Sequence, residues 1–147
     1  MKININHGEA YLDGYINLER RNGIKTDQLV EDYVIKSING KKITEIVSHP
    51  GALEQTKAPI KETIESWSQF SDTGCVLKIK IVDVVGASNA LAYGVIDTPG
   101  FNSMFGGYHV YLDQNSLKEA LESSGFSVTK TWYGPYQWVV NMEAVKQ

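Results

Sequence analysis

The chain has 147 residues, 42% hydrophobic and 21% charged, with a net charge of −3, proportions that suit one compact domain over residues 1–147 with a core of its own. Its mild acidity lacks the basic stripe of a nucleic-acid binder, and no apolar segment is long enough for a signal peptide or a membrane span, so neither nucleic acid nor membrane is an expected partner. One cysteine, Cys75, excludes an intramolecular disulfide, and the cytoplasm is the expected compartment.

Ile3 and Ile5 alternate with Asn4 and Asn6 as in a short strand, and Tyr15 to Glu19 repeats the pattern. Asn22-Gly23 marks a turn, Leu29 to Ile35 reads as a third strand, and Asn39-Gly40 as another turn. Ile43 to Val47 reads as a fourth strand running into the loop Ser48-His49-Pro50-Gly51. From Pro59 to Phe70 the apolar residues Ile60, Ile64 and Trp67 share one helical face, with Pro59 at the start and Gly74 as a stop beyond the end. Cys75, Leu77, Ile79 and Ile81 then share one face of a strand over 75–85, opposite Lys78 and Lys80; Cys75 reads as a small core residue. Residues 86–109, rich in Gly, Ser, Asn and Tyr, read as a long loop. Ser116 and Glu119 form a capping box for a second helix carrying Leu117, Ala120 and Leu121, and Gly125-Phe126 ends it. Two β-rich runs, 127–133 and 138–145, are joined closely through Gly134-Pro135 and so pair antiparallel. The expected fold is α/β, a mixed and mostly parallel sheet with an antiparallel C-terminal pair.

In order and spacing these motifs resemble the small class I (Rossmann-like) methyltransferases that use S-adenosylmethionine. The opening of one bacterial group in that family reads L-N-[IL]-G-C-G, a short loop, then G-[WY]-x-N-[IVL]-[DE]. Here it stands as Ile3-Asn4-Ile5-Asn6-His7-Gly8, residues 9–13, then Gly14-Tyr15-Ile16-Asn17-Leu18-Glu19. Val30-Glu31-Asp32, Glu45-Ile46-Val47-Ser48-His49, Gly74 to Asp83, Met104 to Gly107 with His109, and "SLKEALESSGF" continue the similarity along nearly the whole chain. The resemblance implies a seven-stranded sheet with an inserted antiparallel last strand, a truncated first crossover, and a cofactor pocket at the carboxyl ends of the first strands. It implies cofactor contacts from Asn6, His7, Gly8, Glu9, Glu19, Asp32 and Ser48. The chain departs from the pattern where Asn6 replaces the first glycine and His7 a small residue, which makes the glycine-rich motif degenerate, and where Pro50-Gly51 interrupts the family's H-x-L-E-H.

The chemistry of these positions is consistent with that role. A ligand loop needs backbone close to the ligand and angles that glycine tolerates; Asn6 is the next most tolerant residue for left-handed angles. An acid at the end of the second strand, Glu19, can accept hydrogen bonds from two ribose hydroxyls, and Asp32 stands similarly for an adenine amino group. Without G-x-G-x-x-G, and with only seven residues from Glu9 to Tyr15 for the crossover, a nicotinamide or flavin enzyme is not expected.

Methyl transfer needs positioning and a proton acceptor, not a triad. His49 and His109 are the candidate catalytic bases. His7, His49 and His109 lack the short spacing of metal ligands, and no metal is expected. Tyr93, Phe101, Phe105, Tyr108 and Tyr111 offer aromatic surface for an acceptor pocket, whereas Trp132, Tyr133, Tyr136 and Trp138 read as sheet packing or, if exposed, an association surface. The expected function is transfer of a methyl group from S-adenosylmethionine to a small acceptor. The alternatives are a noncatalytic binding or interaction module that has lost efficient cofactor binding, and a homo-oligomer whose partner completes the site.

Overall fold

A computed structural model describes residues 1–6, 8 and 10–147, so the expected contacts His7 and Glu9 lie outside the described residues. The elements in chain order are β1 (Lys2–Ile5), β2 (Ile16–Glu19), β3 (Gln28–Leu29), β4 (Ile43–Ser48), α1 (Ala52–Gln55), α2 (Ile60–Phe70), β5 (Ser71–Val82), α3 (Val84–Ala92), α4 (Thr98–Met104), α5 (Gln114–Ser123), β6 (Phe126–Tyr133) and β7 (Val139–Lys146). The strands form one seven-stranded sheet in the order β3-β2-β1-β4-β5-β7-β6. The first five pair in parallel, and β7 inserts antiparallel between β5 and β6. This is the mixed sheet expected from the sequence.

Alternation decides which face of the sheet is buried. Ile3, Ile5, Leu18, Ile46, Leu77, Ile79, Ile81 and Met142 are buried in one core with Ile64 and Trp67 of α2 and Leu117 and Leu121 of α5. The Trp67 indole N–H donates to the Tyr33 carbonyl at 2.8 Å, fixing α2 to the β3–β4 link. Cys75 is buried in the same core, and that burial pushes its thiol pKa up. On the other face Lys78 and Lys80 are exposed, and Glu45 pairs with Lys78 at 2.7 Å and Lys2 at 2.9 Å.

The first crossover closes in ten residues, 6–15, although parallel strands ordinarily need a dozen or more. Two buried asparagines make this work by taking up the loop's backbone groups. Asn4 donates to the Ala10 carbonyl at 2.6 Å and to Asn17 at 2.7 Å. Asn17 accepts from the Leu12 N–H at 2.8 Å and donates to the Leu12 and Tyr15 carbonyls at 3.0 Å. In β1 the alternation therefore puts Ile3 and Ile5 into the core and Asn4 under the crossover.

Several boundaries differ from the sequence reading. The third strand ends at Leu29, not Ile35. Beyond it, Asp32 accepts from the Val34 N–H, the Ser66 hydroxyl accepts from the Ile35 N–H, and Tyr33 turns inward, so side chains replace the ladder. Gly74 does not stop α2, which ends directly at Ser71; it takes φ +84° inside β5, where the register against β4 shifts. The late helix starts at Gln114, capped by Asp113 with Ser116 completing the box, rather than by Ser116 with Glu119. Residues 86–109 are not one loop but contain most of α3 and all of α4. Their signals were Asp83 and Asp97, N-caps that accept from the Gly86 and Gly100 N–H groups. Gly86 brings α3 against the β6–β7 turn; a Cβ there would lie 2.6 Å from the Gln137 carbonyl oxygen.

Candidate functional site

In an open α/β sheet the ligand crevice lies outside the carboxyl ends of the strands where the strand order reverses. Here that point is between β1 and β4. Ile5 pairs with Leu18 on one side and Ser48 on the other, so the chain leaves β1, β2 and β4 side by side at Asn6, Glu19 and His49.

Gly8 has φ +100°, a left-handed angle that favours glycine, and its N–H donates to Glu19 Oε2 at 3.0 Å. The other oxygen, Oε1, accepts from the Arg20 and Arg21 N–H groups at 2.8 and 3.0 Å. Glu19 is fully buried. Burial alone would push its pKa up; the N–H donors of Gly8 and Arg21 outweigh it and hold the carboxyl below the ordinary value. Asn6 does not use the left-handed angle that its residue type tolerates, since no described non-glycine residue has positive φ. Its amide instead folds back onto the loop, donating to the Gly8 carbonyl at 3.0 Å and accepting from the Ala10 N–H at 3.2 Å. The Tyr33 hydroxyl donates to the Asn6 carbonyl at 2.7 Å and closes the turn from beneath.

Arg20 lies across this edge. Its Nε donates to the Glu31 carbonyl beyond β3 at 2.8 Å, and its Nη1 to the Gln55 carbonyl of α1 at 2.5 Å. The Arg21 guanidinium rests beside Gly8, where a Cβ would lie 3.1 Å from its Nη2.

On the β4 side, the Ser48 hydroxyl is buried with no hydrogen-bond partner among the described residues. His49 Nε2 lies 2.9 Å from Asn4 Oδ1. Since the Asn4 amide nitrogen is committed to Ala10 and Asn17, its oxygen must accept, so the neutral ring carries its proton on Nε2 and leaves Nδ1 basic. Burial, with Lys80 nearby, lowers the His49 pKa. The sequence reading gives Glu54 no site role, although Leu53-Glu54 follows the interrupted H-x-L-E-H stretch. Glu54 is fully buried, with Oε1 accepting from the Val82 N–H at 2.9 Å and Oε2 without a partner among the described residues. Burial pushes its pKa up to about 7. The Glu54 carbonyl holds the His109 and Val110 N–H groups at 2.8 and 3.2 Å, so His109 reaches the same edge through its backbone while its side chain is exposed.

Phe105 gathers Phe101, Tyr108 and Tyr111 at ring-centroid distances of 5.0, 5.5 and 5.1 Å, next to the Glu54 anchor. Tyr93, grouped with them by sequence, is 84% exposed and makes no described ring contact. Trp132, Tyr133 and Tyr136 are exposed as well, so sheet packing does not describe them. Asp32 spends one oxygen on its own turn and lines a cavity of about 650 Å³ that extends from Met1, Ile3 and Ile16 to Leu18 and Leu29 near the ends of β2 and β3. The link 30–42 that lines it contains no helix. A hollow of about 280 Å³ opens at the carboxyl edge itself, lined by Gly8, Tyr11, Gly23, Ile24 and Lys25. Among the described residues no group of His, Cys, Asp and Glu stands together as metal ligands, and no helix is long and apolar enough to cross a membrane.

No protein family model and no curated sequence matches the chain. Solved structures do. Magnesium protoporphyrin IX methyltransferase from Synechocystis PCC 6803, with bound S-adenosylhomocysteine, aligns with a TM-score of 0.50 at 15% identity over 74% of this chain and 47% of its own. An O-methyltransferase family 2 protein from Planctomyces limnophilus DSM 3776 gives 0.55 at 9% identity, over 79% and 33% of the two chains. OxaC, solved with S-adenosylhomocysteine and oxaline, gives 0.56 at 16% identity, over 92% and 37%. The chain thus spans half or less of the length of these structures. What they share with it is architecture: this chain has the Rossmann-like fold of the class I methyltransferases.

Proposed function

We propose that the protein is an S-adenosylmethionine-dependent methyltransferase acting on a small acceptor, with the cofactor held at the carboxyl edge between β1 and β4. One juxtaposition carries this reading: the Gly8 turn meets the Glu19 carboxylate at the reversal of strand order. The residues fit the group. Glu19 Oε2 accepts a single described N–H and keeps acceptor capacity for a ribose hydroxyl, and the buried Ser48 hydroxyl needs a partner.

When bound, the cofactor supplies a methyl group already activated on a sulfonium sulfur. Glu19 would orient the ribose, the loop 6–9 would set the backbone against the ligand, Ser48 would offer its hydroxyl, and Asp32 is the adenine-side candidate. His49 would accept a proton from the acceptor through Nδ1, its Nε2 being engaged by Asn4; His109 is the second candidate. The aromatic group around Phe105 offers the acceptor an apolar wall. The noncatalytic alternative is favoured by one observation, the complete burial of Glu19.

Calorimetric titration with S-adenosylmethionine and S-adenosylhomocysteine tests the reading. At 100 times the dissociation constant, binding should stabilise the fold by about 2.7 kcal/mol, visible as a rise in melting temperature. Absence of heat and of a melting shift at millimolar concentrations of both ligands would overturn it.

A further inference from the structure

Glu19 is fully buried, so no ligand reaches its carboxylate unless a covering group moves. Two guanidiniums stand at this edge: that of Arg21, with Nε 3.4 Å from Glu19 Oε1, and that of Arg20, which reaches across the strand exits. Arg20 leaves the end of β2, yet its guanidinium bonds the Glu31 carbonyl beyond β3 and the Gln55 carbonyl in the helix that follows β4. In the order β3-β2-β1-β4, one side chain therefore ties the outermost pair of these exits and passes the end of β1 between them. Its own N–H is also bound to Glu19 at 2.8 Å, so the tie and the buried acid form one connected unit.

We propose that Arg20 is a strap over the ligand crevice, displaced from the Gln55 carbonyl whenever a ligand engages Glu19. The inference rests on the reading of this crevice as the adenosyl site. Bonds from a guanidinium to carbonyl oxygens are stronger than neutral ones, so the closed arrangement predominates in the free protein. Ligand affinity is reduced by the fraction of molecules in which the strap is open. Arg20 thus sets affinity by competing with the ligand.

Two variants of the full chain test this. Arg20→Met keeps the aliphatic stem and removes every donor; Arg20→Lys keeps the charge and removes the fork. In the ligand-free protein, the Arg20 Nε–H signal, identified by its loss in Arg20→Met, should exchange with solvent at least about tenfold more slowly than a free guanidinium. Exchange at the free rate would overturn the strap. By calorimetry with S-adenosylhomocysteine as the probe, Arg20→Met should bind about tenfold more tightly than the wild type, and Arg20→Lys should follow it. Equal or weaker binding by Arg20→Met would overturn the proposal by making Arg20 a neutral bystander or a ligand contact. Wild-type affinity in Arg20→Lys would assign the effect to charge and overturn it as well. If neither the wild type nor Arg20→Met takes up the probe at millimolar concentration, the adenosyl reading itself fails, and the displacement with it. The ligand-free exchange still decides whether the tie exists.

Discussion

Replacing Glu54 with glutamine should flatten the pH dependence of stability. The carboxyl rises from its ordinary 4.5 to about 7 because burial outweighs the backbone N–H groups, Val82 among them, that favour its charged form. Below pH 4.5 the group is protonated in both folded and unfolded chains, and its burial brings no ionisation penalty. As pH rises from 4.5 to 7, the unfolded chain releases its proton while the folded chain keeps it, so stability falls across that window and then levels off. The full loss is about 3 kcal/mol, from 1.36 kcal/mol per pH unit of displacement. The amide of Glu54→Gln has nothing to ionise and can still accept from Val82. Whatever its offset at low pH, the gap between variant and wild type should move by about 3 kcal/mol in favour of the variant between pH 4.5 and pH 8. Urea unfolding at several pH values measures it, and comparison within the pair cancels every other titrating group. Parallel stability curves for the two proteins would refute the argument and mean that Glu54 ionises as an ordinary surface acid does.

Glu19→Ala should abolish S-adenosylhomocysteine binding and destabilise the fold by about 3–5 kcal/mol, since it strands the Gly8, Arg20 and Arg21 N–H groups; calorimetry and urea unfolding read the two effects separately. In the wild type the lowered Glu19 pKa contributes stability above the unfolded carboxyl value, lost as pH falls through the folded one, and a Glu19→Gln chain should lack that acid-side loss. Gly8→Ala forces a side chain onto φ +100°, 3.1 Å from Arg21, and should cost about 1–3 kcal/mol with weaker ligand binding. Gly86→Ala drives a methyl to 2.6 Å from the Gln137 carbonyl oxygen, a backbone atom that cannot swing away; a loss of about 1–3 kcal/mol in urea unfolding is expected.

The sequence by itself determined the apolar faces of the strands and the antiparallel sense of the last pair. Period-two alternation in Ile3–Ile5, Ile16–Leu18 and Cys75–Ile81 states which face is apolar, because successive side chains point to opposite faces whatever packs on them. The closely joined pair at the end declared its antiparallel sense through its short connection. The sequence also marked Gly8 and Glu19, whose residue types are chemically constrained by a left-handed turn and a strand-end acid. Helices α3 and α4 stayed hidden because their small and aromatic residues lack a periodic stripe; their packing around Phe105 holds them, with Asp83 and Asp97 as caps. The end of β3 was equally illegible, since Tyr33 has the propensity of a strand residue and leaves the ladder only to reach the Asn6 carbonyl and the Trp67 indole. Burial of Glu54 and the reach of Arg20 to Gln55 are long-range facts. A carboxyl or a guanidinium carries the same letter in water and in a core, and only the tertiary arrangement of β2, β4 and β5 decides which of its partners are near.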